Sequence, residues 1–467
     1  MPLKPSQFDL PISKESLSAG GWIICGLALV SSIAVLAWPI PQREGLEFWL
    51  FSKGHAELYE VKLEEWNLKQ DPDVHFSLLS TESLQQRMLA SFLSDTPAAD
   101  VIEVERDFVP QAFTGPIEDV GFIDLTDRLK QEGIYDRLNT PSFGPWTSRG
   151  RIFGLPHDVH PVVLAYRADI FEEAGIDLTQ VQTWAQFAEV VKPLVGDRNG
   201  DDTPDYVISM WTGGAYRSHL EALMLQAGGA LFDEQERMQI NTEINARVLA
   251  TMVSWMVGPD RIAMDAPEFD PQANQMRLDG RVLVSLMPDW LGGVWELNMP
   301  ALSGKIKIMP LPAWEPGGRR TSVWGGTMLG IPKTTEDFDN AWKFATHLYL
   351  SEEVAEGLYR NNYIISPVKD YWDRAFYDEP IEFFCGQPAG RMFIDLAPQV
   401  PMRTSSPFNT YAKDRVANAL FLLREYAKDT KKYTPEELMD EAHRQLQIAE
   451  DLVTRKVERN VFLRSEP

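Results

Sequence analysis

Three titratable side chains fall within four residues in the segment Pro156-His157-Asp158-Val159-His160-Pro161. Imidazole and carboxylate serve both as metal ligands and as hydrogen-bonding groups for a polar ligand. In an extended strand Asp158 points away from His157, which favours hydrogen bonds to ligand hydroxyls over a shared metal ion. Glu105 and Arg106 follow the strand-like run Ala99 to Val104 and offer an acid and a cation, for a ligand or for each other. Ser52 and Lys53 stand in the same relation to the run Leu46 to Phe51. Glu105 and Asp158 could also supply the two carboxylates of a glycoside hydrolase, although nothing in the chain fixes their separation. The turn Asp197 to Asp205 places Asp197, Asn199, Asp201 and Asp205 as oxygen ligands for Ca²⁺. It is not an EF-hand, because Gly200 comes two steps early and Ile208 stands where the bidentate Glu belongs, so a solvated turn is expected. No nucleophile elbow, phosphate loop or HExxH motif occurs, and no cofactor is expected.

Fourteen tryptophans add a second kind of chemistry. Sugars present apolar C–H faces and many hydroxyls, so a sugar cleft needs flat aromatic platforms beside hydrogen-bonding groups. Trp290 follows the strand-like run Val282 to Met287 and Pro288-Asp289, which puts it at a strand's carboxyl end, where α/β clefts bind. Trp255 and Trp342 read as core.

The elements that must position these groups alternate between strand and helix patterns, as in an α/β sheet. Thr183 and Gln186 make a capping box, with Phe187, Val190, Val191 and Leu194 on one face behind it. Phe338, Ala341, Trp342, Ala345, Leu348 and Tyr349 form a helical stripe. Thr434, Pro435 and Glu437 start a third helix, whose stripe is Leu438, Ala442, Leu446, Ala449 and Val453. The chain of 467 residues is too long for one ordinary core. Its formal net charge of −24 repels phosphate backbones, so nucleic acid is not an expected partner. Two cysteines, Cys25 and Cys385, make no disulfide framework. Nothing from Trp22 to Trp38 is charged, and Pro39 follows. That run reads either as a retained transmembrane anchor or as a cleaved signal peptide ending near Val35-Leu36-Ala37, and both export the rest of the chain.

Beyond these local readings, Arg151-Ile152-Phe153-Gly154-Leu155-Pro156 leads into Leu164-Ala165-Tyr166-Arg167-Ala168-Asp169-Ile170-Phe171, then Glu172-Glu173-Ala174-Gly175-Ile176 and Thr183-Trp184-Ala185-Gln186-Phe187. Later come Gly280 to Trp290, Val323-Trp324-Gly325-Gly326, Gly330-Ile331-Pro332-Lys333 and Ser351-Glu352-Glu353. In this order the runs resemble the bacterial extracellular solute-binding proteins that include the maltose-binding protein, over roughly residues 46–455. Arg167 replaces the family's usual Asn. The resemblance implies a two-lobed α/β fold of the periplasmic-binding-protein type II, which follows the N-terminal tail and transmembrane or signal-anchor segment read above for residues 1–45. Residues 46–158 with 323–370 would form the first lobe, and 159–322 with 371–467 the second. It places Trp290 and Trp211 where rings stack on sugar, and Trp324 with Gly325 and Gly326 at a lobe crossing. It implies a monomer outside the cytoplasm that closes on a carbohydrate and delivers it to an ABC permease, without catalysis. A carbohydrate-active enzyme and a membrane-tethered sensor remain the alternatives at this point, the sensor disfavoured by a cytoplasmic stub of 19 residues.

Overall fold

The computed structural model describes residues 18–37, 44–94, 96–198, 200, 204–210, 217–264 and 266–460, with side chains in the first stretch to residue 33. The chain divides into two compact units, residues 1–44 and 45–467. The first carries one helix, Ala19–Ala37, with no charged residue in it and every described side chain exposed except Gly21. Among the described residues no helix is long and apolar enough to cross a membrane.

The second unit is built on two five-stranded sheets and a small hairpin, β4 (Thr147–Ser148) with β5 (Arg151–Ile152). The first sheet contains β1 (Leu46–Leu50), β2 (Val74–Leu78), β3 (Val101–Glu105), β6 (Leu155–Pro156) and β12 (Thr327–Gly330), in the order β2-β1-β3-β12-β6. β1 is parallel to β2 and β3, whereas β12 is antiparallel to both its neighbours. Alternation decides the packing. Leu46, Phe48 and Leu50 enter one apolar cluster with Tyr59, Trp66 and Phe344, while Trp49 enters another with Ile102, Val104 and Phe113. A sheet buried on both faces reads as continuous apolar runs, and burying each large side chain contributes roughly 1.5–3 kcal/mol.

The second sheet holds β7 (Val162–Arg167), β8 (Ile208–Ser209), β9 (Ala263–Met264), β10 (Val284–Pro288) and β11 (Ile306–Pro310), in the order β11-β7-β10-β8-β9. Its strands belong to a separate apolar cluster that includes Trp184, Trp255, Leu420 and Leu446. The capping boxes at Thr183 and Thr434 are both formed. The stripe of helix Pro435–Glu458 is buried at Leu438, Ala442, Leu446, Ala449 and Val453. Trp342 and Trp255 lie in the core, at 2% and 5% exposure. Since the first sheet takes strands from both ends of the second sheet's sequence, the chain must pass between the sheets more than once. Pro161 pairs with Val323, and Val159 N–H donates to Ile365 C=O at 3.1 Å, so three passing segments touch one another.

Candidate functional site

A cavity of 690 Å³ opens where these passing segments meet the carboxyl ends of strands from both sheets. That volume lies in the range of small-molecule sites, about 300–1,000 Å³. Ser52 lies just beyond β1, and Glu105 and Arg106 lie at and beyond the end of β3. Asp158 and His160 come from the first passing segment, Trp324, Gly325 and Gly326 from the second, and Trp290 from the end of β10. All of these line the cavity. Lys53 does not: it is exposed on helix Lys53–Lys69 and pairs with Glu57 at 3.4 Å, while Ser52 caps that helix. His157 is buried behind the wall rather than in it. Trp211 lies outside the described residues.

The wall has an aromatic side. Trp290 is half-buried in the first turn of helix Asp289–Asn298, not in a loop, because the helix starts directly at the end of β10. Phe269 stacks on it with ring centroids 5.9 Å apart, and Trp324 meets it edge-on at 6.1 Å. The Trp290 indole N–H donates to Trp324 C=O at 2.9 Å, which fixes the ring plane. Phe269 was not expected from the sequence, where it sits in an acidic stretch without a recognisable period.

A charged cluster lines the same cavity. Arg106 is 2% exposed, and among the described residues its Nε and Nη1 have no hydrogen-bond partner. Its nearest carboxylates, Glu221, Glu105 and Asp107, stand 3.6–3.8 Å away. Arg403 and Lys413 take up the Asp107 carboxylate instead, at 3.0 and 2.9 Å. Burial opposes ionisation of Asp107, but Lys413, Arg106 and Arg403 overcome it and hold the group far below the usual carboxylate range. Glu105 is pushed up to about 7, by burial first and by Asp107 second. The Glu105 carboxyl, partly exposed at the cavity, can therefore meet a ligand hydroxyl, whereas Nε and Nη1 of Arg106 are buried.

Asp158 does not face away from the histidines. Its Oδ2 lies 3.1 Å from His157 Nδ1 and 3.0 Å from His160 Nε2. The segment 157–160 is not a strand, and His160 adopts a left-handed φ of 56°, which breaks the alternation. His160 Nδ1 contacts Asp289 Oδ1 at 2.6 Å. Burial opposes the His160 charge, yet Asp158 and Asp289 raise its pKa to about 10. Burial likewise opposes the Asp158 charge, and His160 with His157 keeps Asp158 well below the carboxylate range. Behind this, His157 Nε2 meets the Tyr59 hydroxyl at 2.7 Å, and Glu103 accepts from Tyr59 at 3.0 Å and Tyr349 at 2.9 Å. His55, Glu103 and His157 bring three ligand-type atoms within 4.8 Å. Hydrogen bonds already engage all three residues, so a buried polar network accounts for the group.

The acidic turn is committed elsewhere. Asp205 is fully buried, pairs with Arg281 at 3.2 Å and accepts Arg198 N–H at 3.1 Å. Asp197 accepts Gly200 N–H at 2.7 Å. Asn199 and Asp201 lie outside the described residues. With both Asp205 oxygens engaged, the described part of the turn is held by protein groups.

Residues 52–355 match the family described as bacterial extracellular solute-binding protein. The chain belongs to that family. This solute-binding protein is 27% identical over 413 residues to an arabinooligosaccharide-binding protein of Halalkalibacterium halodurans, covering 85% of this chain and 87% of the relative. Its fold matches the sugar-binding protein MalE of Xanthomonas citri with a TM-score of 0.68 at 16% identity, covering 91% and 100% of the two chains. It also matches an ABC-transporter-associated binding protein of B. animalis subsp. lactis, solved with beta-1,6-galactobiose, with a TM-score of 0.65 at 17% identity, covering 88% and 98%. As an extracellular family that binds solutes, it sets aside the hydrolase reading of Glu105 and Asp158.

Proposed function

We propose that this solute-binding protein captures a neutral oligosaccharide, of the arabino-oligosaccharide kind, and delivers it to the membrane subunits of an ABC importer. One observation carries the reading. The Trp290–Trp324 pair lines one cavity together with Glu105, Arg106 and Asp158, aromatic rings beside hydrogen-bonding groups. The relative that binds arabinooligosaccharides, by its name, supports the ligand class. In this reading residues 46–158 with 323–370, and 159–322 with 371–467, are lobes that close on the ligand. His157, lying behind Asp158, acts indirectly. The uncharged run Trp22 to Trp38 directs export and holds the protein at the outer face of the cytoplasmic membrane.

A thermal-shift series with arabino-oligosaccharides tests the binding. Saturating ligand is expected to raise the melting temperature by mass action. Trp290→Ala is expected to melt near the wild type without ligand while its Kd rises about tenfold or more. A folded Trp290→Ala protein with wild-type affinity removes this ring from the site. No shift with any arabino-oligosaccharide removes the ligand class.

A further inference from the structure

We propose that His160 and Asp289 are a positioning pair that fixes the aromatic wall of the cavity to the segments passing between the two sheets. The inference rests on reading Trp290 as the ligand platform. Both ring nitrogens of His160 face carboxylate oxygens, Nε2 at 3.0 Å from Asp158 and Nδ1 at 2.6 Å from Asp289. An ionised carboxylate only accepts hydrogen bonds, so each nitrogen carries a proton and the ring is an imidazolium. The ring is 4% exposed, which keeps water from replacing either partner.

Asp289 spends its remaining capacity on backbone. Its Oδ1 also accepts Trp290 N–H at 2.8 Å, and its Oδ2 accepts Ile365 N–H at 2.9 Å. Trp290 then donates its indole N–H to Trp324 C=O, and Trp324 N–H reaches His160 C=O at 3.4 Å. The contacts close a ring of four residues: His160, Asp289, Trp290, Trp324. Two passing segments and the end of β10 meet in it, and Asp289 Oδ2 ties in a third segment at Ile365. His160 pays for its place with a left-handed backbone, a conformation that persists only where the surroundings over-determine it. Gly325 completes the fit, because a Cβ there would enter the His160 imidazole. The pair touches the platform through the backbone and through Trp324, so its role is to set where the indole stands.

The test uses the full-length protein labelled with ¹⁵N-histidine, the His160 signals being assigned by His160→Gln. Both ring nitrogens are expected to be protonated at pH 8.5, about two units above an ordinary histidine's pKa. Adding an arabino-oligosaccharide is expected to move these signals, and Trp290→Ala to abolish that movement. Asp289→Asn places an amide against the cation. Its folded fraction is expected to bind the sugar about tenfold more weakly. A neutral ring at pH 8.5, a ring blind to ligand, or a folded Asp289→Asn protein with wild-type affinity overturns the proposal. If Asp289→Asn fails to fold, the wild-type ring signals decide alone. Wild-type affinity in Trp290→Ala would instead overturn the platform reading, and this inference with it.

Discussion

Glu105 is the cavity residue whose charge is most open to change. Its carboxyl is raised to about 7, so the folded protein holds that proton more tightly than the unfolded chain, where a glutamate titrates near 4.3. The folded state therefore binds more protons than the unfolded state between the two values. The contribution of Glu105 to stability is fully present below the unfolded value and is lost as pH rises through about 7. Glu105→Gln removes this dependence. Melting curves from pH 4 to 8 are expected to show the wild type losing stability relative to the variant across that window, and parallel curves would refute the assignment. His160 behaves in the opposite sense to an ordinary buried histidine. Its raised pKa gives stability that is complete below about 6.5 and lost only as pH rises through about 10, so it stays charged through neutral pH.

Among the elements, the passing segment Val323 to Gly326 carries a sharp constraint. Gly325 has a φ of +128°, and a Cβ would meet the His160 ring. Gly325→Ala is expected to cost about 1–3 kcal/mol from backbone strain alone, and more if His160 is displaced. Chemical denaturation measures the loss, and a variant as stable as the wild type would mean that the segment bends freely. Gly-Gly after Trp324 is visible in the sequence, and so are the two capping boxes and the apolar stripes, because each depends on residues no more than a few turns apart. Ser52, Glu105, Arg106 and Trp290 were legible as residues at or near strand ends. What could not be read lies in long-range pairing. Asp107 meets Arg403 and Lys413, which stand 296 and 306 residues away, and no local period points to either. Asp289 was passed over because its partners, His160 and Ile365, are also remote, 129 and 76 residues away. The strand rule misplaced Asp158 because one left-handed residue, His160, undid the alternation.

At the scale of the molecule, a cavity set between two sheets joined by three touching segments suits hinge motion. Small-angle scattering is expected to give a smaller radius of gyration with saturating arabino-oligosaccharide than without it, and an unchanged value at saturation would argue for a rigid site. Cell fractionation is expected to place the full-length chain with membranes, and recovery of a free cytosolic protein would refute the tether. The interleaved strand order has a further consequence, for the birth of the protein. β3 pairs on one side with β1, but its other neighbour, β12, begins only at Thr327, after every strand of the second sheet has been made. At about 5–20 residues per second, synthesis of that intervening stretch takes roughly 10–40 s. For that interval the β3 edge is exposed and the nascent first sheet is incomplete, so a holding chaperone has most to protect at this stage.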